Sequence, residues 1–190
     1  MNNGTLTYRE IKREELPKSA EIVFQAFNQM AARTGVPQTP NVEVVSARLS
    51  EYLEDAVPGL LYGGFVDGVQ VGFFMLRKLG IDEETWEISM LAVDPKYQHK
   101  GYGQKLLSCG LQKILDFKGV LAVCAVTDGN THVLELLAKE GFACEASGVP
   151  VGELSIWMLR KDMKNAAAAA ACTPEDCAGC SGGCSSGCGG

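Results

Sequence analysis

The sequence predicts an α/β domain of the α+β type, a mixed sheet covered by helices. Three observations carry this. Strand-like and helix-like patterns alternate over the first 165 residues. Asp67-Gly68, set between two apolar runs, marks a tight hairpin, because Asp-Gly supplies the positive φ angles of a type I′ turn. A strand at 85–93 then passes through a loop holding two glycines into an amphipathic helix.

The elements follow in order. Leu6, Tyr8 and Ile11 mark a β-like opening stretch. A helix starts near Glu14 to Pro17 and keeps Ala20, Val23, Phe24 and Phe27 at helical spacing. Thr34 to Pro40 is a loop rich in Gly, Pro and Thr, and Val42 to Leu53 is a second helix with Val45, Leu49 and Leu53 on one face. Leu60–Val66 and Val69–Leu76 form the hairpin, and Thr85–Val93 a strand ended by Asp94-Pro95. Tyr102 to Phe117 is helical, with Leu107, Leu111, Ile114 and Leu115 on one face. Val120–Val126 is continuously apolar and reads as a buried strand. Asn130 to Glu140 is a helix closed by Gly141, and Leu154–Leu159 a last strand. No internal repeat is present.

An apolar share of 46% over 190 residues supports one domain with a substantial core. The formal net charge of −6 excludes broad nucleic-acid binding, which depends on Lys and Arg neutralising phosphates. No apolar run is long enough to span a bilayer, so no membrane partner is expected. The start, Met1-Asn2-Asn3-Gly4, has neither the basic region nor the apolar core of a secretory leader. A cytoplasmic location is the expectation. Cys109, Cys124 and Cys144 lie singly among apolar residues and read as small core side chains.

The chemistry is concentrated at 91–107. The first N–H groups of a helix lack intrahelical partners, and the macrodipole adds partial positive charge there. Gly101 and Gly103 let an anion approach the backbone without a Cβ in the way. The combination makes a pyrophosphate cradle, with Lys100 and Lys105 adding charge and Lys96 near the rim. A P-loop needs four residues between its first Gly and Gly-Lys, which is absent; the dinucleotide fingerprint needs a third Gly where Leu106 stands.

The hexapeptide Gln98-His99-Lys100-Gly101-Tyr102-Gly103, following a strand that ends Leu91-Ala92-Val93-Asp94-Pro95, resembles the acyl-CoA loop of the GNAT acetyltransferase superfamily. The resemblance covers residues 5 to 161. It implies a mostly antiparallel sheet of six to seven strands flanked by about four helices. It also implies acetyl-CoA as cosubstrate, bound by backbone groups of Leu91, Ala92 and Val93 and by N–H groups from Gln98 to Gly103. The stretch Glu87 to Val93 resembles the histone-acetyltransferase branch, which implies Glu87 as the general base; an exposed strand residue is the other reading. Asn130 is either a ligand of the pantetheine arm or a helix N-cap. The tyrosine that protonates the leaving thiolate in many members falls on Leu137, which cannot donate a proton. Tyr97 and Tyr102 are distant alternatives. His99 and His132 are expected to face solvent. Trp86, Trp157, Phe73 and Phe74 read as core or wall rather than an aromatic box.

The acceptor implied is an amine of a small molecule or a protein, attacked directly in a ternary complex; a homodimer is compatible with the family. The acidic balance leans toward a cationic amine. A non-catalytic acyl-CoA sensor is the competing reading, motivated by Leu137.

The domain is expected to end near Asn165. Beyond it lie Ala166–Ala171 and five cysteines, Cys172, Cys177, Cys180, Cys184 and Cys188. Without Leu, Ile, Val or Phe this tail cannot bury apolar surface, so an unfolded tail is expected. Several thiols on a flexible chain suit a soft metal such as Zn(II) or Cu(I), and a thiol-rich metal-handling role is the third function class. Redox, lipidated and inert tails are the other readings, while a reducing cytosol disfavours stable disulfides.

Overall fold

The structure, a computed structural model, describes residues 5–35, 41–54, 59–80, 84–152 and 154–164. The Ala run and the five tail cysteines lie outside the described residues, as do the boundary at Asn165 and residues 36–40 of the first interhelical loop.

Among the described residues, seven strands form one sheet in the order β1-β2-β3-β4-β5-β7-β6. They are β1 (Leu6–Glu10), β2 (Gly59–Val66), β3 (Val69–Leu79), β4 (Thr85–Val93), β5 (Leu121–Thr127), β6 (Ala143–Val151) and β7 (Leu154–Asp162). Helices α1 (Leu16–Thr34), α2 (Val42–Leu53), α3 (Tyr102–Asp116) and α4 (Thr131–Lys139) complete the expected class. All pairings are antiparallel except β4 with β5.

β2 and β3 are buried on both faces because both faces are covered, whereas β5, expected to be a buried strand, alternates, with Ala125 exposed at the cavity. Phe73 joins the core beneath α1 and α2, with Ile22, Val23 and Leu49. Its neighbour Phe74 joins the core beneath α3 and α4, with Leu106, Leu107 and Ile114. Successive side chains of a strand point to opposite faces, so both phenylalanines are fully buried. The hairpin turn takes the expected left-handed angles at Asp67 (φ 51) and Gly68 (φ 78). Asn41 caps α2 by accepting from the Val44 N–H at 3.0 Å, and Pro17 stands in the first turn of α1.

Two expectations need correction. Cys144 is exposed rather than in the core, because it lies on β6 at the sheet's outer edge. That strand was not anticipated at all. It has no buried residue, carries Pro150, and shifts register twice against β7, so it lacks the alternation that reveals a half-buried strand.

Candidate active site

The parallel pair β4–β5 runs for only three steps, Thr85↔Leu121, Trp86↔Ala122 and Glu87↔Val123. Beyond Glu87 the strands part. A bulge between Met75/Leu76 of β3 and Met90/Ile88 of β4 inserts Ser89 at this point and re-aims the rest of β4. The result is a wedge open toward the C-terminal ends of both strands.

A cavity of about 410 Å³ fills the wedge, within the range of small-molecule sites. Ile88, Leu91, Ala92 and Val93 form one side, and Cys124 to Thr127 the other. The mouth is formed by Gln98, His99, Gly101, Tyr102 and Gly103 with Asn130, His132 and Val133 of α4. The far wall is one face of α1: Ala26, Phe27, Met30 and Arg33. Periodicity had marked Phe27 as apolar and helical, but nothing local tells a core-facing side chain from one facing a gap in the sheet.

The loop between β4 and α3 is locally determined. Asp94, buried, accepts from the Lys96 N–H at 3.0 Å and sets a short 3₁₀ turn, Pro95–Tyr97. Lys18 of α1 pairs with Asp94 at 3.4 Å. The Gln98 side chain donates Nε2–H to the Val93 carbonyl at 3.0 Å, folding the loop back on its strand. His99 (φ 60) and Gly101 (φ 78) are left-handed, which turns successive N–H groups to one side. Among the described residues the N–H groups of His99, Lys100 and Gly101 have no backbone acceptor. Tyr102 and Gly103 open α3, where N–H groups lack intrahelical partners. A Cβ on Gly101 would meet nothing within 4 Å, so the cradle is open space, and it fits a pyrophosphate.

The other expected site residues are placed as follows. Lys100 does not line the cavity; its Nζ lies 5.3 Å from the centre of the Tyr97 ring. The Tyr102 side chain is buried with Leu6, Val66 and Val71, leaving its backbone as the group at the mouth. His99 and His132 are exposed at the mouth, their rings 6.4 Å apart. Asn130 stands at the N-cap position of α4 but makes no side-chain cap bond, which leaves its amide at the cavity. Glu87 lies between the core residues Trp86 and Ile88, and so points to the opposite face, the one covered by α1 and α2. There its carboxylate pairs with Arg77 at 2.7 Å, and it is not a lining residue of the cavity. Trp86, Phe73 and Phe74 are core, as expected.

Neither cysteine near the sheet's centre is set up as a nucleophile. Burial, and secondarily the charge of Glu87, pushes the Cys124 thiol up to about 12. Burial also raises Cys109, which Asp116 reinforces and Lys113 opposes. A thiol, unlike a thiolate, attacks poorly. Among the described residues no group of three or more His, Cys, Asp or Glu could hold a metal, and no helix is long and apolar enough to cross a membrane.

The sequence model of the acetyltransferase (GNAT) family matches residues 27–142, more than half of the chain, from the α1 wall through Phe142. The chain belongs to the GNAT acetyltransferase family. Comparison with curated proteins finds no match. Solved structures supply the fold likeness. The PaiA N-acetyltransferase of Thermoplasma acidophilum, in complex with coenzyme A, is 20% identical with a TM-score of 0.68, covering 83% of this chain and 99% of its own. The ribosomal-protein-alanine N-acetyltransferase of Brucella melitensis is 17% identical with a TM-score of 0.66, covering 82% and 99%. The spermidine N-acetyltransferase of Vibrio cholerae, solved with CoA and spermine, is 13% identical with a TM-score of 0.68, covering 84% and 96%. The wedge, the loop at 98–103 and α4 all fall inside the family match. Leu137 is buried at 1% exposure and lines the cavity.

Proposed function

We infer that this GNAT protein transfers an acetyl group from acetyl-CoA to a primary amine by direct attack in a ternary complex. One observation carries the reading: the wedge past Glu87↔Val123 leads without interruption to the N–H cradle at 98–103. When bound there, acetyl-CoA supplies an activated thioester. Leu91 to Val93 turn their β5-side backbone edge to its pantetheine arm, with the Val93 carbonyl already accepting from Gln98, and Asn130 offers an amide. The N–H groups from His99 to Gly103 hold its pyrophosphate, while the Gln98 N–H, expected among them, is turned to the Pro95 carbonyl at 3.5 Å. Such pre-set contacts do catalytic work by positioning.

Glu87 is the general base on this reading. It stands at the last paired step before the strands part, on the α1 side, and takes the amine's proton directly or through water. Arg77 holds that carboxylate in place. Burial disfavours a thiolate at Cys124, which suits direct attack by the amine rather than an acyl-enzyme on that residue. Leu137 gives no proton, and the thiolate leaves without help from that position. Two of the similar structures are named for amine acceptors, a ribosomal-protein alanine and spermidine, which supports an amine here.

Leu137 also favours a second reading, a sensor that binds acyl-CoA without turnover. Titration calorimetry of acetyl-CoA, followed by an amine screen, separates them. Micromolar binding that Gly101→Glu abolishes and Gly101→Asn, which tolerates the left-handed angle, largely keeps would support the cradle. Binding with no turnover on any amine would favour the sensor, and no binding at all would remove both.

A further inference from the structure

We propose that the acceptor is an amine bearing a carboxylate on an apolar body, and that Arg33 of α1 recognises the carboxylate. This rests on the acetyltransferase reading above and concerns the acceptor half of the same cavity.

Phe27, Met30 and Arg33 recur every three residues along α1 and all line the cavity. Phe27 and Met30 are only partly buried, their open sides facing the cavity. Arg33 is exposed at the outer end, about 9 Å along the helix axis from Phe27 at 1.5 Å per residue. The wall therefore runs from apolar to cationic. It is the charged residue on that wall, and no carboxylate among the described residues pairs with it. An acid, Asp128, stands on the neighbouring turn, where a Cβ on the next residue, Gly129, would touch Thr34. Asp128 Oδ1 accepts from Trp157 Nε1–H at 3.2 Å and from the Gly129 N–H at 2.9 Å, and the carboxylate makes no ion pair with Arg33. An unpaired guanidinium beside an apolar trough is suited to a planar carboxylate, which it binds with two parallel hydrogen bonds.

The same residues argue against a polycation. The chain carries a net charge of −6, but that surplus is not in the cavity. Among the described lining residues Arg33 and Lys139 stand against Glu135. The carboxylate at the point of the wedge, Glu87, is already neutralised by Arg77. The local field, not the net charge, selects the acceptor, so the cationic lean of the whole sequence does not reach the site.

The test compares free acids with their own primary amides at saturating acetyl-CoA, using apolar α-amino acids and ω-amino acids, with spermidine alongside. Free acids are expected to exceed their amides and spermidine at least tenfold in kcat/KM. R33Q should erase that preference by raising KM for the acids, with kcat, amide turnover and acetyl-CoA affinity unchanged. Amides or spermidine matching the acids would overturn the proposal, as would an R33Q effect on acetyl-CoA binding instead. If acetyl-CoA binds but no amine is acetylated, N-acetyl amino acids are titrated into the CoA complex. Binding that R33Q weakens tenfold upholds carboxylate recognition even though the transferase reading has failed. No binding, or binding that ignores R33Q, overturns it.

Discussion

Gly72→Ala tests how the fold holds the cradle. Gly72 lies on β3 opposite Val93, the last residue of β4 before the loop. A Cβ there would collide with Leu106 Cδ1 of α3 and stand 3.1 Å from the Ala92 carbonyl oxygen. Leu106 is fully buried, and its other methyl already lies 2.8 Å from the position a Cβ on Gly64 would take. It therefore has no free direction in which to turn. Overpacking of this kind costs about 1–3 kcal/mol, partly offset by the lower chain entropy of Ala relative to Gly. For a domain of this size that is a fall in Tm of roughly 2–12 °C at about 2–4 °C per kcal/mol. Leu106 is one turn into the helix whose start forms the cradle, so displacing it should also weaken acetyl-CoA binding. Leu106→Ala alone should cost about 2–5 kcal/mol through the cavity it leaves. In the double variant the new methyl enters that cavity, and the cost should fall below the sum by about 1 kcal/mol or more. Thermal unfolding and calorimetry of the four proteins would decide. Strict additivity, or a Gly72→Ala protein as stable as the parent, would refute the claim that α3 is seated by the missing side chain.

Other consequences are open to simpler measurements. Glu87→Gln should lower kcat by about 10²-fold or more, the usual contribution of a positioned base, while acetyl-CoA affinity by calorimetry stays within about twofold; unchanged turnover would release Glu87 from the role. Cys124→Ala should stay active, and no acyl-enzyme should be trapped in the parent. Because the folded thiol is raised from 9.0 to about 12, it favours folding below pH 9 and loses that contribution as pH rises toward 12. Alkaline unfolding curves of parent and Cys124→Ala should therefore converge over that range. The Arg9 hydrogen bond, with help from the Lys12 N–H, holds Glu15 at about 2 against an ordinary 4.5. That contribution is present above 4.5 and disappears as pH falls to 2, so Glu15→Gln should flatten acid unfolding in this window. An identical acid profile would show the pair to be dissolved by solvent.

The sequence by itself determined the elements whose signal is local. The hairpin at Asp67-Gly68 follows from the φ angles two residues can adopt, and α2 and β4 matched their expected bounds residue for residue. The loop and helix start at 98–103 were legible for the same reason: their conformation is made by consecutive residues. The tertiary structure decided what depends on residues distant in the chain. The length of the β4–β5 ladder is set by register and a bulge, so no local residue pattern marks the wedge and only the family resemblance implies it. Phe27, Met30 and Arg33 look like any amphipathic helix until the sheet opens beneath them. Glu87 and Arg77 meet only because β3 and β4 pair, and β6 exists only because β7 offers it an edge. Local backbone preferences are written in neighbouring residues; which side chains share a cavity is fixed by packing over the whole chain.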